Sequence, residues 1–214
     1  MMAVALFTGT FPLPISRRML FATGVASLAT CMTRPLFALP QPRGSQVSSP
    51  LLRRALAALL QHHASIAHHD AIGIADFSLP SSTPRFHVLD IGSGSVSSHW
   101  VAHGRGSDPA HTGWLERFSN EPQSHATSAG AFRTEDVYFG SHGRSLRLEG
   151  LDPTNSNAAA RAIVVHGAPY VSAEILHDHG VLGRSLGCFA LAESSLGEVL
   201  ARLGTGRMIY ADKV

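Results

Sequence analysis

Cys188 and His166 are the two side chains whose types and setting suit covalent chemistry. Cys188 closes the run Gly183-Arg184-Ser185-Leu186-Gly187-Cys188, and His166 stands 22 positions before it, after Ala162-Ile163-Val164-Val165. A short β-branched apolar run reads as a buried strand, which would hold His166 and Gly167 at a fixed end. A glycine-bordered loop lets backbone approach a substrate carbonyl closely. A free thiol is only slightly ionised at neutral pH, so a held imidazole that takes its proton raises the reactive fraction. The expectation is cysteine acyl transfer, with Cys188 as nucleophile, His166 as general base and the amides of Gly187 and Cys188 as oxyanion donors. The residues name no third group that would orient the base.

The remaining elements must position this pair. The chain has 214 residues, 44% hydrophobic and 15% charged, enough for one good core. Its formal charge is +2, but Arg17, Arg18 and Arg34 lie in residues 1–38 with no acid among them. Taking those three from 17 basic residues leaves 14 against 15 acidic, a net −1, and no basic patch points to nucleic acid. Ser16-Arg17-Arg18-Met19-Leu20-Phe21 resembles a twin-arginine export motif, and the small-residue stretch after it is too short to span a bilayer. We therefore expect a signal over 1–38, a tether over 39–49 and a catalytic domain over 50–214. The expectation extends to passage through the twin-arginine export machinery, no stable membrane insertion after cleavage, and a periplasmic or cell-envelope location. Cys31 falls inside that signal, so the mature chain would carry Cys188 as its one thiol and no internal disulfide.

Along the chain, Ser49-Pro50 reads as a helix start, with apolar residues at helical spacing from Leu51 to about His69 and the histidines 62, 63, 68 and 69 on a solvated face. Strand patterns follow at 72–77, 85–91, 97–102, 131–133, 136–139 and 145–149, the first three as a meander. Residues 103–130 read as a long loop able to line a site. After Cys188, Ser195–Leu203 reads as a short helix ended by Gly204, and 207–210 as a closing strand. The fold class expected is mainly β, with a leading amphipathic helix and a short C-terminal one.

His166-Gly167 together with Gly183-Arg184-Ser185-Leu186-Gly187-Cys188 resembles the YkuD-type murein L,D-transpeptidases, most closely the branch whose loop reads G-R-S-x-G-C. Supporting matches include residues 74–78, 101–107, 118–120, 142–151 and 161–170, so the resemblance spans roughly Ala71 to Tyr210. It implies a β-sandwich or barrel domain that acts on peptidoglycan stem peptides through a Cys188 thioester, forming 3-3 cross-links. The common family motif is S-H-G-C-x-R. This chain has Leu186 where the family often has His, and Ala190 where it has Arg; Arg184 is the candidate for the missing charge. Arg184, Ser185, Gly167, Tyr170, His103 and His142 complete the substrate-binding candidates, each with a structural reading beside it: loop bonding for Arg184, turn formation for Ser185, packing for Tyr170, and a hydrogen-bonded histidine for His103 and His142.

The alternatives are L,D-carboxypeptidase action on the same bond, a non-catalytic cell-wall-binding domain, and a zinc hydrolase built on His166, His177 and His179 with Asp178 or Glu174 as base. The last leaves Cys188 unexplained, and no metal or cofactor is expected.

Overall fold

The computed structural model describes residues 47–214. The expected signal over 1–38, Cys31 and most of the tether lie outside the described residues.

The leading helix, α1 (Ser49–Gln61), has Pro50 in its first turn, where a missing N–H costs nothing, and buries Leu51, Leu52, Ala55, Ala58 and Leu59. It ends eight residues short of the expected His69. The amides of Ala67 and His68 both bond the Gly206 carbonyl at 2.9 Å, so tertiary hydrogen bonds replace helical ones. The histidines are not all solvated either. His62 pairs with Asp152 at 2.8 Å, and the His63 and His69 rings stack 4.2 Å apart.

The other elements are β1 (Ala71–Asp76), β2 (Phe86–Asp90), β3 (Val96–His99), β4 (Val101–Ala102), β5 (Gly130–Gly140), β6 (Gly143–Gly150), β7 (Val164–Gly167), α2 (Ala173–His179), β8 (Phe189–Leu191), α3 (Glu193–Leu203) and β9 (Met208–Asp212). They build one nine-stranded sheet in the order β3-β2-β1-β9-β5-β6-β7-β8-β4. Only Trp100 separates β3 from β4, yet the two lie at opposite ends of that order. Consecutive Cα atoms are about 3.8 Å apart, so the sheet must curl until its edges meet at Trp100.

The central strands β1 and β9 are buried or half-buried on both faces. On β9, Ile209 and Ala211 join the core shared by α3 (Val199, Leu200, Leu203), whereas Met208 and the partly buried Tyr210 join the core shared by α1. The closing strand expected over 207–210 is present as β9, and its two apolar faces decide where in the sheet it lies. An apolar segment with something to bury on each side is most stable in mid-sheet, and β9 runs parallel to β1 and antiparallel to β5. Residues 131–133 and 136–139 likewise merge into β5, which carries a bulge between Thr134 and Val137. The helix α2 was not anticipated, although its signals are ordinary. The Ser172 hydroxyl accepts the Ile175 amide as N-cap, and Gly180, at φ 73°, ends it.

No helix among the described residues is long and apolar enough to cross a membrane.

Candidate active site

The strands β7 and β8 are parallel neighbours, with Val165 opposite Phe189 and His166 opposite Ala190. Cys188 immediately precedes β8 and stands two residues before Ala190, the partner of His166, so thiol and imidazole lie diagonally across two neighbouring strands, two positions apart in register. Phe189 anchors that start. It is fully buried, with ring centroids 6.2, 6.5 and 5.4 Å from those of Phe77, Phe86 and Phe132.

Cys188 is 9% exposed and its Sγ–H donates to the Ala162 carbonyl at 3.6 Å. Burial pushes the thiol up from its ordinary range, opposed by the Val164 amide and the Arg161 cation. The resting group is therefore a thiol, and its reaction requires a base. His166 is 2% exposed, and its Nδ1 lies 2.9 Å from the Gly167 carbonyl oxygen. A carbonyl only accepts, so Nδ1 carries the proton and Nε2 presents its lone pair. The group that orients the imidazole is thus the backbone of the next residue, which residue types could not reveal. Burial lowers the His166 pKa; the Gly167 bond opposes that shift and His142 adds to it. The His142 ring stacks on His166 with centroids 4.3 Å apart. No hydrogen bond joins Sγ to Nε2.

The loop before Cys188 is strapped down. The Ser185 amide bonds the His103 carbonyl at 2.9 Å, and the Ser185 carbonyl accepts the Arg105 amide at 2.8 Å. Its hydroxyl donates to the Cys188 carbonyl at 2.7 Å and accepts the Gly187 amide at 3.1 Å. Gly187 has φ 120°, and a Cβ there would lie 2.8 Å from the Ala126 carbonyl oxygen. Gly183 is equally forced: its Cβ would lie 2.6 Å from that of Tyr170. Tyr170 is half-buried beside the site, and burial with the nearby Cys188 pushes its phenol up to about 12.

The fold therefore gathers Cys188, His166, Gly167, Gly187, Ser185, Tyr170 and His142. It does not bring His103 or Arg184 into play. His103 is 1% exposed; its Nδ1 accepts from Arg85 at 2.7 Å, so Nε2 faces Asp108, 3.4 Å away, as the donor. Burial and the Arg85 charge lower its pKa to about 4. Arg184 spends its Nη1 on the carbonyls of Asp108 and Pro109, which closes the loop over that network. The zinc alternative loses its geometry as well. His177 and His179 sit two apart on α2, about 200° around the helix from each other. Among the described residues, no group of three or more His, Cys, Asp or Glu side chains is placed to hold a metal ion.

Arg161 is the residue that had no assigned role. It stands in the turn before β7, and Cys188 and Arg161 each feel the other's charge. Its position at the head of a motif-like segment was the only signal.

Residues 43–211 match the family model described as the L,D-transpeptidase catalytic domain. Solved structures with a similar course include an L,D-transpeptidase from Mycobacterium smegmatis at 16% identity, covering 67% of this chain and 58% of that one, with a TM-score of 0.41. One from Mycobacterium tuberculosis has 15% identity, 67% and 57% coverage and a TM-score of 0.43. Another, from Xylanimonas cellulosilytica, has 15% identity, 73% and 68% coverage and a TM-score of 0.40. The chain spans less than three fifths of the length of the two mycobacterial structures. No curated protein matches this chain.

Proposed function

The chain belongs to the L,D-transpeptidase catalytic-domain family, and from that premise we propose that it is a cysteine acyltransferase acting on peptidoglycan stem peptides in the cell envelope. The observation that carries this reading is the His166 tautomer. With Nδ1–H bonded to the Gly167 carbonyl, Nε2 keeps a free lone pair on the strand next to the one that Cys188, a buried thiol, leads into.

In the first half-reaction His166 Nε2 takes the Cys188 proton as Sγ attacks the carbonyl of an L,D amide bond. Hydrogen bonds of this kind are often loose in an empty site and tighten with substrate bound. The oxyanion falls to the Cys188 amide, because the Gly187 amide already holds the Ser185 hydroxyl. Collapse of the tetrahedral species breaks the C–N bond, and His166 returns its proton to the departing amine of the terminal D-residue. A thioester remains on Sγ. The side-chain amine of a second stem then attacks it, restores the thiol and forms a 3-3 cross-link; attack by water would instead give L,D-carboxypeptidase activity through the same residues. The reading carries with it export through the twin-arginine route and a periplasmic or envelope location.

The test is mass spectrometry of the domain incubated with a disaccharide tetrapeptide, for the native protein, Cys188→Ala and His166→Ala. Native protein is expected to release the terminal residue and form 3-3 linked dimer, and neither variant to do so. Tripeptide without dimer would make the enzyme a carboxypeptidase. Untouched substrate with no adduct at Cys188 would favour a wall-binding role.

A further inference from the structure

A cation beside the nucleophile lacks a neutralising acid. Arg161 is half-buried; Nη1 donates to the Ser119 carbonyl at 2.8 Å and the Ser128 hydroxyl at 2.7 Å, and Nη2 to the Ala126 carbonyl. All three acceptors are neutral. Among the described residues no carboxylate acts on its charge, and the opposite charge it feels is that of ionised Cys188. A guanidinium has five N–H donors, so three bonds leave two unspent.

Those donors border a space of suitable size. Arg161 lines a cavity of about 310 Å³ with Pro122, Gln123, His125, Ala160 and Leu186. The cavity lies against the loop that carries the nucleophile: Leu186 lines it, and Arg161 Nη2 lies 3.1 Å from where a Cβ on Gly187, the residue before Cys188, would stand. Leu186, 57% exposed, gives it an apolar wall that the folded chain alone does not require. Gln123, His125 and Ala162, in or next to this rim, have φ of 61°, 52° and 53°. Non-glycine residues held in the left-handed region cluster at functional sites.

We propose that Arg161 is a specificity-determining residue: it pairs with the free α-carboxylate of the leaving D-residue, whose small side chain rests against Leu186. The inference rests on the proposed function and deepens it. In such a substrate the carboxylate carbon stands three bonds from the carbonyl carbon that sulfur attacks. A cation that recognises it must therefore sit beside the nucleophile, as Arg161 does, with Nη2 3.1 Å from where a Cβ on Gly187 would stand and its charge acting on Cys188. A cation held by neutral acceptors and lacking a counter-ion gains most when an anion arrives.

The experiment measures the rate of Cys188 acylation, as mass gain of the intact protein, by a tetrapeptide donor ending in a free carboxylate and by its C-terminal carboxamide. Both donors leave the same thioester, so only the rates differ. Native protein is expected to prefer the acid by about tenfold or more, the size of one charge-assisted contact. Arg161→Lys should keep part of that preference, and Arg161→Gln should bring the ratio to about one. Equal rates in the native protein, or an undiminished ratio in Arg161→Gln, overturn the role of Arg161 and leave the nucleophile standing. Absence of adduct with both donors overturns the proposed function and this inference together. Arg161 also ties down residues 119–128, so a variant that fails to fold is covered by a measurement on native protein alone. Alkylation of Cys188 by iodoacetate relative to iodoacetamide should exceed the ratio for a small thiol, and an equal ratio overturns the proposal.

Discussion

The His142 imidazole lies on that of His166 with ring centroids 4.3 Å and planes 21° apart. The base at the end of β7 is thus covered by a side chain from the turn between β5 and β6, which Ser145, opposite His166 in the ladder, brings into register. Beside burial, the larger cause, the neighbouring His142 disfavours charge on His166.

Removing that ring should therefore raise the His166 pKa toward its ordinary value. His166 acts as a base only when neutral, so the acid limb of Cys188 reactivity should move to higher pH in His142→Ser. His142→Phe, which keeps the cover and removes the charge, should shift it less. Alkylation rates from pH 5 to 8, with NMR titration of His166, measure both shifts, and an unmoved limb in both variants would count against the stack as a tuning device.

Acid should destabilise the fold well above the carboxylate range. Burial lowers the pKa of His87 and of His103 from 6.5 to about 4, and both are essentially unexposed. Between those values the unfolded chain binds more protons than the folded one. The stabilisation is therefore complete above pH 6.5 and is lost as pH falls toward 4, about 3 kcal/mol per histidine. His87 contributes no bond from Nε2, so His87→Leu should flatten the slope. Urea midpoints at pH 7, 6 and 5 give the answer; a midpoint constant over that range would refute it.

Gly187→Ala should damage site and fold together. A side chain at φ 120° would meet the Ala126 carbonyl and Ile163 Cδ1, both at 2.8 Å. We expect a loss of about 3 kcal/mol or more, with Cys188 acylation abolished. Gly180→Ala, at φ 73° with nothing within 4 Å, should cost only about 1–2 kcal/mol and leave acylation intact. Thermal denaturation and the acylation assay separate the two.

Phe189→Ala should cost about 3–5 kcal/mol, because the ring it removes is ringed by Phe77, Phe86 and Phe132. Phe189→Leu should cost less. Urea denaturation measures both, and near-equal losses would show that aromatic contact adds little to burial here.

Much of the fold is legible in the chain because it follows from local patterning. The alternation in β1 and β2, the helical spacing after Pro50 and the Gly204 stop behind α3 each depend on a few neighbouring residues. The errors fall where distant partners intervene. Gly206 captures the amides of Ala67 and His68, and α1 ends eight residues early.

The candidate site divides in the same way. Residue type and spacing by themselves pick out Cys188 and His166, since nucleophile and base are properties of single side chains and each has a distinctive setting. Tertiary structure alone decided which cation stands by the thiol, which carbonyl fixes the imidazole and which histidine is sealed away with Arg85 and Asp108. Those are matters of approach and exclusion of water. Arg161 and Arg184 carry the same charge and both bond backbone carbonyls, and only the path of the chain around them sets the charge of Arg161 beside Cys188.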